Sequence, residues 1–218
     1  MQKRFVCLAK SIRNGALCVA GKEYSNGTVG TWFRPVGREQ DAIRDTSCSF
    51  NVGDIVTCRV DSRVPALPQS ENYRLSLTPS WTTVGEFSPQ NLKTLLDFPK
   101  TLWQNGANCS SKLGINDRVP ESIACELQNS LYFIYITNAS IQKEDISYET
   151  QRNRLRLSFQ YNESNYSLPV TDPSLSKKYW KKVQVGESET IQKCYITVSL
   201  ARPYFGYCYK LVAGYVPA

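Results

Sequence analysis

The run Lys177-Lys178-Tyr179-Trp180-Lys181-Lys182 is the part of the sequence best suited to binding an anionic, ring-containing ligand. Lysine supplies positive charge and aromatic rings supply flat faces, the combination that proteins use to hold single-stranded nucleic acid. On a helix, Lys178 and Lys181 share one face while Tyr179 and Lys182 share another. We therefore predict that Lys178, Tyr179 and Lys181 contact such a ligand. The alternative is that an aromatic ring anchors the helix and the lysines are simply solvated.

A second basic pattern consists of Arg152, Arg154 and Arg156, which alternate with apolar residues. Side chains two residues apart on a strand point to the same face, so the three arginines would form a ladder able to follow a phosphate backbone. Unpaired, they would repel one another, and either a bound anion or acidic neighbours are expected. The alternative to ligand binding is a solvated outer face, and both interpretations predict exposed arginines.

Trp32 and Arg34 also lie two residues apart in a strand-like segment and should share one face. A tryptophan ring beside a guanidinium group can stack on a base and pair with its phosphate. Lys10 and Arg13 belong to a neighbouring turn and could complete a phosphate-binding rim. The alternative is that Trp32 fills the end of a barrel and Arg34 pairs with a carboxylate.

The last strand contributes two further candidates, Tyr209 and Lys210. Their types suit stacking and charge pairing, but tyrosines also close barrels by packing, so a purely structural role is the alternative.

The composition argues against most catalytic chemistry. The 218 residues include no histidine, which removes histidine-dependent triads and imidazole acid–base catalysis. No phosphate-binding loop, dinucleotide fingerprint or metal-ligand spacing occurs, so we predict no cofactor and no metal. The net charge of +7 favours a polyanionic partner. A histidine-free hydrolase using a carboxylate-bound metal remains a weaker alternative.

The elements that must position these residues are short strands separated by turns. Asn14-Gly15 between two apolar runs predicts a hairpin. Ser88 followed by Pro89 predicts a helix over 88–96, and Asp172 followed by Pro173 predicts another that ends near residue 182. Each half then has about five strands and one helix. The expected fold is all-β with two short helices: two tandem OB-like Greek-key barrels packed together, over residues 1–103 and 104–218.

Motifs near both ends of the chain resemble those of a prokaryotic dual-OB-fold domain family. They are Cys7-Leu-Ala-Lys-Ser11, Cys18-Val-Ala-Gly21, Trp32-Phe-Arg-Pro35, Thr197-Val-Ser-Leu200 and Gly206-Tyr-Cys-Tyr-Lys-Leu-Val-Ala213. The resemblance spans nearly the whole chain. It implies two barrels in tandem and a nucleic-acid or nucleotide-binding role in bacterial defence. Ile12-Arg13-Asn14 departs from it, because that turn would be expected to be more basic.

The sequence therefore predicts a non-enzymatic module that binds single-stranded nucleic acid or a nucleotide-like anion. A second hypothesis is an interaction scaffold, an accessory subunit that binds a protein encoded nearby. No apolar run is long enough for a membrane span or a signal-peptide core, so a cytoplasmic protein without membrane contact is expected.

Overall fold

The chain forms two β-sheets, one in each half. The computed structural model describes residues 1–13, 15–39, 42–43, 48–77, 80–144 and 154–218. The strands of the first half are β1 (Gln2–Arg13), β2 (Ala16–Ser25), β3 (Thr28–Val36), β4 (Asp54–Arg63), β5 (Asn72–Leu75) and β6 (Thr82–Glu86). Those of the second half are β7 (Arg118–Pro120), β8 (Leu131–Lys143), β9 (Leu155–Tyr161), β10 (Ser164–Pro169), β11 (Ser188–Leu200) and β12 (Tyr207–Pro217).

The first half is a closed barrel. Its strands are ordered β1-β2-β3-β5-β4, and pairing between β1 and β4 closes the sheet. Strands β3 and β5 are parallel, and the other pairs are antiparallel. This is the order of an OB barrel. Alternation along the strands places Phe5, Val19 and Phe33 inside, where they form the barrel core.

The second half repeats the arrangement as a half-barrel. Its sheet has the order β10-β9-β8-β11-β12-β7, and a parallel bridge between Val170 and Val212 links the two sides. Ile134, Leu157 and Val198 lie in its core. Strands β8 to β12 therefore correspond in order to strands β1 to β5 of the first barrel. The expected all-β fold with two OB-like barrels is confirmed.

In the described ranges three short helices accompany the sheets: a 3₁₀ helix (Pro89–Leu95), α1 (Glu121–Ala124) and α2 (Pro173–Tyr179). The Asp172 cap is as predicted, since its carboxylate accepts the Leu175 N–H at 2.7 Å. The helix expected over 88–96 is a 3₁₀ helix rather than an α-helix. The Ser88 hydroxyl does not cap it and bonds instead to the side chain of Gln90. Helix α1 was not predicted.

The two barrels pack directly against each other through β1, β8, β11 and β12. Apolar residues of both halves form the contact, including Leu8 and Leu95 with Phe133 and Tyr195. At Gly214 the backbones approach so closely that a Cβ atom would lie 1.9 Å from the carbonyl oxygen of Leu8. Only glycine fits there. None of the helices in the described ranges has the length and apolar character needed to cross a bilayer.

Candidate nucleic-acid interface

Trp32 lies on the outer face of the first barrel, since the adjacent Phe33 is in the barrel core, and it packs against a cluster that includes Leu131 and Ala213 of the second half. Its indole N–H donates to Asp97 at 3.0 Å, and the same carboxylate accepts Lys22 at 2.6 Å. Asp97 also accepts the backbone N–H of Phe133, in β8. The ring therefore joins the two halves and is not an open stacking platform.

Arg34 lies on the same outer face, 8% exposed. Its guanidinium is 3.2 Å from the carboxylate of Glu71 and donates to the hydroxyls of Ser130 and Ser199. Both serines belong to the second half. The prediction that Trp32 and Arg34 share a face is correct, but within the described chain Arg34 is already paired, which is the structural alternative.

The arginines of the ladder were predicted to be exposed, which holds for Arg154 but not for Arg156. Arg156 is 1% exposed, and its guanidinium bonds to Glu144, to Asp117 at 3.2 Å and to the carbonyl of Ser167. Arg154 is exposed, yet it pairs with Glu144 at 2.7 Å. The acidic neighbours that such a ladder requires are thus supplied by the chain itself. Arg152 lies outside the described residues.

A segment of the second half, residues 104–117, bonds to the edge of β10 and covers Arg156 on the outer face of β9. Ile115 bridges to Ser167, Asn116 donates to the carbonyl of Asn165, and Asp117 holds Arg156. OB barrels commonly bind oligonucleotides on the outer face of their second and third strands. In the first barrel part of that face contacts the second half, and in the second barrel the part that holds Arg156 lies under this segment, while Gln160 and Asn165 are exposed. The predicted contact residues on these faces, Trp32, Arg34 and Arg156, are therefore already engaged within the chain.

The predicted phosphate-binding rim also has internal partners. The Lys10 ammonium donates to the carbonyl oxygens of Cys48 and Phe50 at 2.9 and 2.6 Å, and lies 5.0 Å from the centroid of the Phe50 ring. Arg13 ends β1, and its side chain is outside the described part of the structure. Lys10, the rim residue whose side chain is described, is therefore bonded within the chain and does not form the predicted phosphate-binding rim.

Helix α2 and the residues directly after it carry four exposed lysines. Here we define the lysine patch as these four, Lys177, Lys178, Lys181 and Lys182, together with Lys143 beside Trp180. The indole of Trp180 is 40% exposed, and the Lys143 ammonium lies 4.5 Å from its ring centroid. Tyr179 is buried and anchors the helix, which is the structural alternative for that residue. Across the described ranges, no carboxylate forms an ion pair with these lysines.

Lys178 is held in place by two tyrosines. Its ammonium lies 3.4 Å from the Tyr215 hydroxyl and 5.3 Å from the centroid of the Tyr179 ring. Burial alone would lower the pKa of Lys178, but the charge and hydrogen-bond interactions with Tyr215 and Tyr179 raise it above its ordinary value. Lys178 thus keeps its positive charge at neutral pH.

A row of aromatic rings runs from the turn before β12 into the start of that strand, at the end of the half-barrel opposite the lysine patch. We define the aromatic strip as Tyr204, Phe205, Tyr207 and Tyr209. Tyr207 and Tyr209 point outward because Cys208 and Lys210 between and beside them are buried. The guanidinium of Arg118 stacks on Tyr207, 3.8 Å from the ring centroid.

Lys210 lies inside the half-barrel and not on its surface. Its side chain is fully buried, and its amine donates to the carbonyl of Gln104 and the amide oxygen of Asn105 at 2.8 and 3.0 Å. Burial lowers the pKa of Lys210 to about 7. An interior lysine cannot contact a ligand on the outer face, so its pairing with Tyr209 in one site is wrong.

Sequence reasoning missed several surface groups that now stand out, namely Lys143, Trp180, Tyr204 and Phe205. Trp180 was inside the basic run, and an exposed ring follows from its place at the end of a short helix. The position of Lys143 beside α2 could not have been predicted from the sequence, because it depends on a backbone bridge between Lys143 and Val185.

The comparisons with known proteins address the family. A family model described as a dual OB-containing domain matches residues 3–215. No curated protein matches the chain.

Solved structures resemble the chain only distantly. One, described as the molecular basis for abrogation of activation of pro-inflammatory cytokines, is 10% identical over 99% of this chain and 91% of its own, with a TM-score of 0.35. Another, described as structural mimicry for functional antagonism, is 8% identical over 96% and 87%, with a TM-score of 0.34. A murine DNA binding protein bound with double-stranded DNA is 10% identical over 99% and 95%, with a TM-score of 0.31. Likenesses this weak carry no argument about a ligand.

Proposed function

Because this chain belongs to the family of dual OB-containing domains, we propose that it is a binding module for single-stranded nucleic acid or a nucleotide-like anion, held at the lysine patch. The observation that carries the proposal is a group of lysines without carboxylate partners in the described ranges, next in sequence to the exposed Trp180, whose ring Lys143 also contacts. Ammonium groups attract phosphates, and an open indole face accepts a base.

The covered faces of the two barrels support this choice of surface. Trp32, Arg34 and Arg156 already have partners within the chain, so a ligand would have to displace them. In the described ranges no ion pair would have to be broken at the lysine patch. Its binding energy would come mainly from phosphate contacts, and affinity should therefore fall as salt rises.

Replacing two lysines of the patch tests the proposal. In the variant Lys181→Gln with Lys182→Gln, we expect the affinity for a labelled dT15 oligonucleotide to fall about fivefold to tenfold, since each lost phosphate contact weakens binding uniformly. The slope of log K against log salt should become shallower by up to about 0.7 for each lysine removed. Fluorescence anisotropy at several salt concentrations measures both quantities.

The matched control replaces two exposed lysines elsewhere, Lys93→Gln with Lys100→Gln. It makes the same change in net charge and should leave affinity within about twofold of wild type. Equal losses in the two double variants would indicate a general charge effect and contradict a site at α2. A wild-type protein that binds no oligonucleotide would contradict the proposed function itself.

A further inference from the structure

The turn between β11 and β12 holds a phenylalanine in an unfavourable backbone conformation. Tyr204 and Tyr207 bond to each other through both backbone N–H groups, at 2.8 and 3.2 Å, and close a two-residue turn of Phe205 and Gly206. The φ angles of these two residues are +49° and +76°. Such turns favour Asn or Gly at the first position, and a bulky residue there is strained.

Packing within the chain does not account for this residue. The side chain of Phe205 is 84% exposed, and its ring makes one edge contact with Tyr204, at 4.5 Å between centroids. A strained, exposed ring indicates a role outside the fold. Both backbone hydrogen bonds of the turn are formed, so the ring is carried at the tip of a closed two-residue turn.

The rest of the aromatic strip continues from this turn along β12. Side chains two residues apart on a strand are separated by roughly 7 Å, so Tyr207 and Tyr209 form successive platforms. The Arg118 guanidinium stacked on Tyr207 adds positive charge to the row. Spaced flat rings with an arginine suit the bases of an extended single strand better than the apolar pocket of a protein.

The strip is distant from the lysine patch. Tyr207 begins β12 and Tyr215, the partner of Lys178, lies eight residues further along it, which is roughly 26 Å at the rise of a strand. We propose that the aromatic strip is a second, base-stacking site, so that the ligand is a polymer long enough to reach both sites and not a single nucleotide. This inference rests on the proposed function.

The test combines one substitution with two lengths of oligonucleotide. Phe205→Asn removes the ring and places a residue that accepts positive φ, so the fold should be kept and the melting temperature should rise by about 2 °C. We expect the affinity for dT15 to fall about tenfold, the effect of one lost stacking contact. The affinity for dT3, which is too short to span both sites, should not change.

Phe98→Asn is the matched control, because Phe98 is 81% exposed and lies outside the strip. It should bind dT15 as the wild type does. Equal dT15 affinity in Phe205→Asn and wild type would overturn the inference while leaving the proposed function intact, and would favour a protein contact at the turn. Equal losses in both variants, or a Phe205→Asn protein that loses dT3 affinity as well, would also overturn it. If wild-type protein binds neither oligonucleotide, both proposals fail.

Discussion

The variant Asp97→Ala should be about 3–5 kcal/mol less stable than the wild type. The substitution removes a carboxylate that accepts hydrogen bonds from three donors in the contact between the barrels. Lys22 lies 2.6 Å from Oδ1 of Asp97, while Trp32 and the backbone N–H of Phe133 donate to Oδ2 at 3.0 and 2.8 Å. The substitution leaves a largely buried ammonium without its counter-charge and two N–H groups without their acceptor. Urea unfolding gives the free energy.

Asp61→Ala is the control for loss of a carboxylate. Asp61 is exposed and accepts one hydrogen bond, from Ser76 at 2.7 Å. Its removal should cost less than about 1 kcal/mol, as for other surface substitutions. If Asp97→Ala proved no more destabilised than Asp61→Ala, the carboxylate would not be holding the halves together.

The second large effect concerns pH and the interior Lys210. Since burial lowers its folded-state pKa to about 7, and the amine titrates near 10.5 in the unfolded chain, the unfolded state binds more protons between those values. Stability must therefore rise with pH in this window. Between pH 7 and pH 9 we expect the free energy of unfolding of the wild type, minus that of Lys210→Met, to rise by about 2 kcal/mol.

Taking this difference removes contributions common to both proteins. Burial raises the pKa of the thiols of Cys58, Cys194 and Cys208 to about 12, so the fold loses stability as these groups begin to ionise in the unfolded chain near pH 9. That loss is the same in Lys210→Met. Parallel pH profiles for the two proteins would mean that Cys109 and Asp117, the groups that oppose the shift, keep Lys210 charged within the fold.

Much of the fold could be predicted because its signals are local. Alternation identified most strands, and Asp172-Pro173 identified the start of α2. The 3₁₀ helix illustrates the limit: Ser88-Pro89 is a good start signal, but the capping bond does not form. Helix α1 has four residues, too few for a periodic pattern.

The candidate site was harder to predict because its outcome depends on distant contacts. Alternation predicted only that Trp32 and Arg34 share one face of their strand. Nothing near them in the sequence indicates that the partner of Arg34 is Ser130, 96 positions away, or that of Trp32 is Asp97, 65 positions away. Nor does the sequence near Arg156 indicate that it pairs with Asp117, because this pairing depends on how residues 104–117 pack against β9. A pattern reports which face a side chain occupies and not what covers that face.

The close approach at Gly214 has a consequence for synthesis in the cell. At this point the backbone of β12 packs directly against Leu8 in β1. The first barrel leaves the ribosome before β8, β11 and β12 are translated, and until then its apolar surface around Leu8 lacks the cover that Phe133 and Tyr195 supply. Nascent chains with exposed apolar surface are prone to aggregate. Burial of this surface is therefore a late event in synthesis, and the partly made chain should bind chaperones.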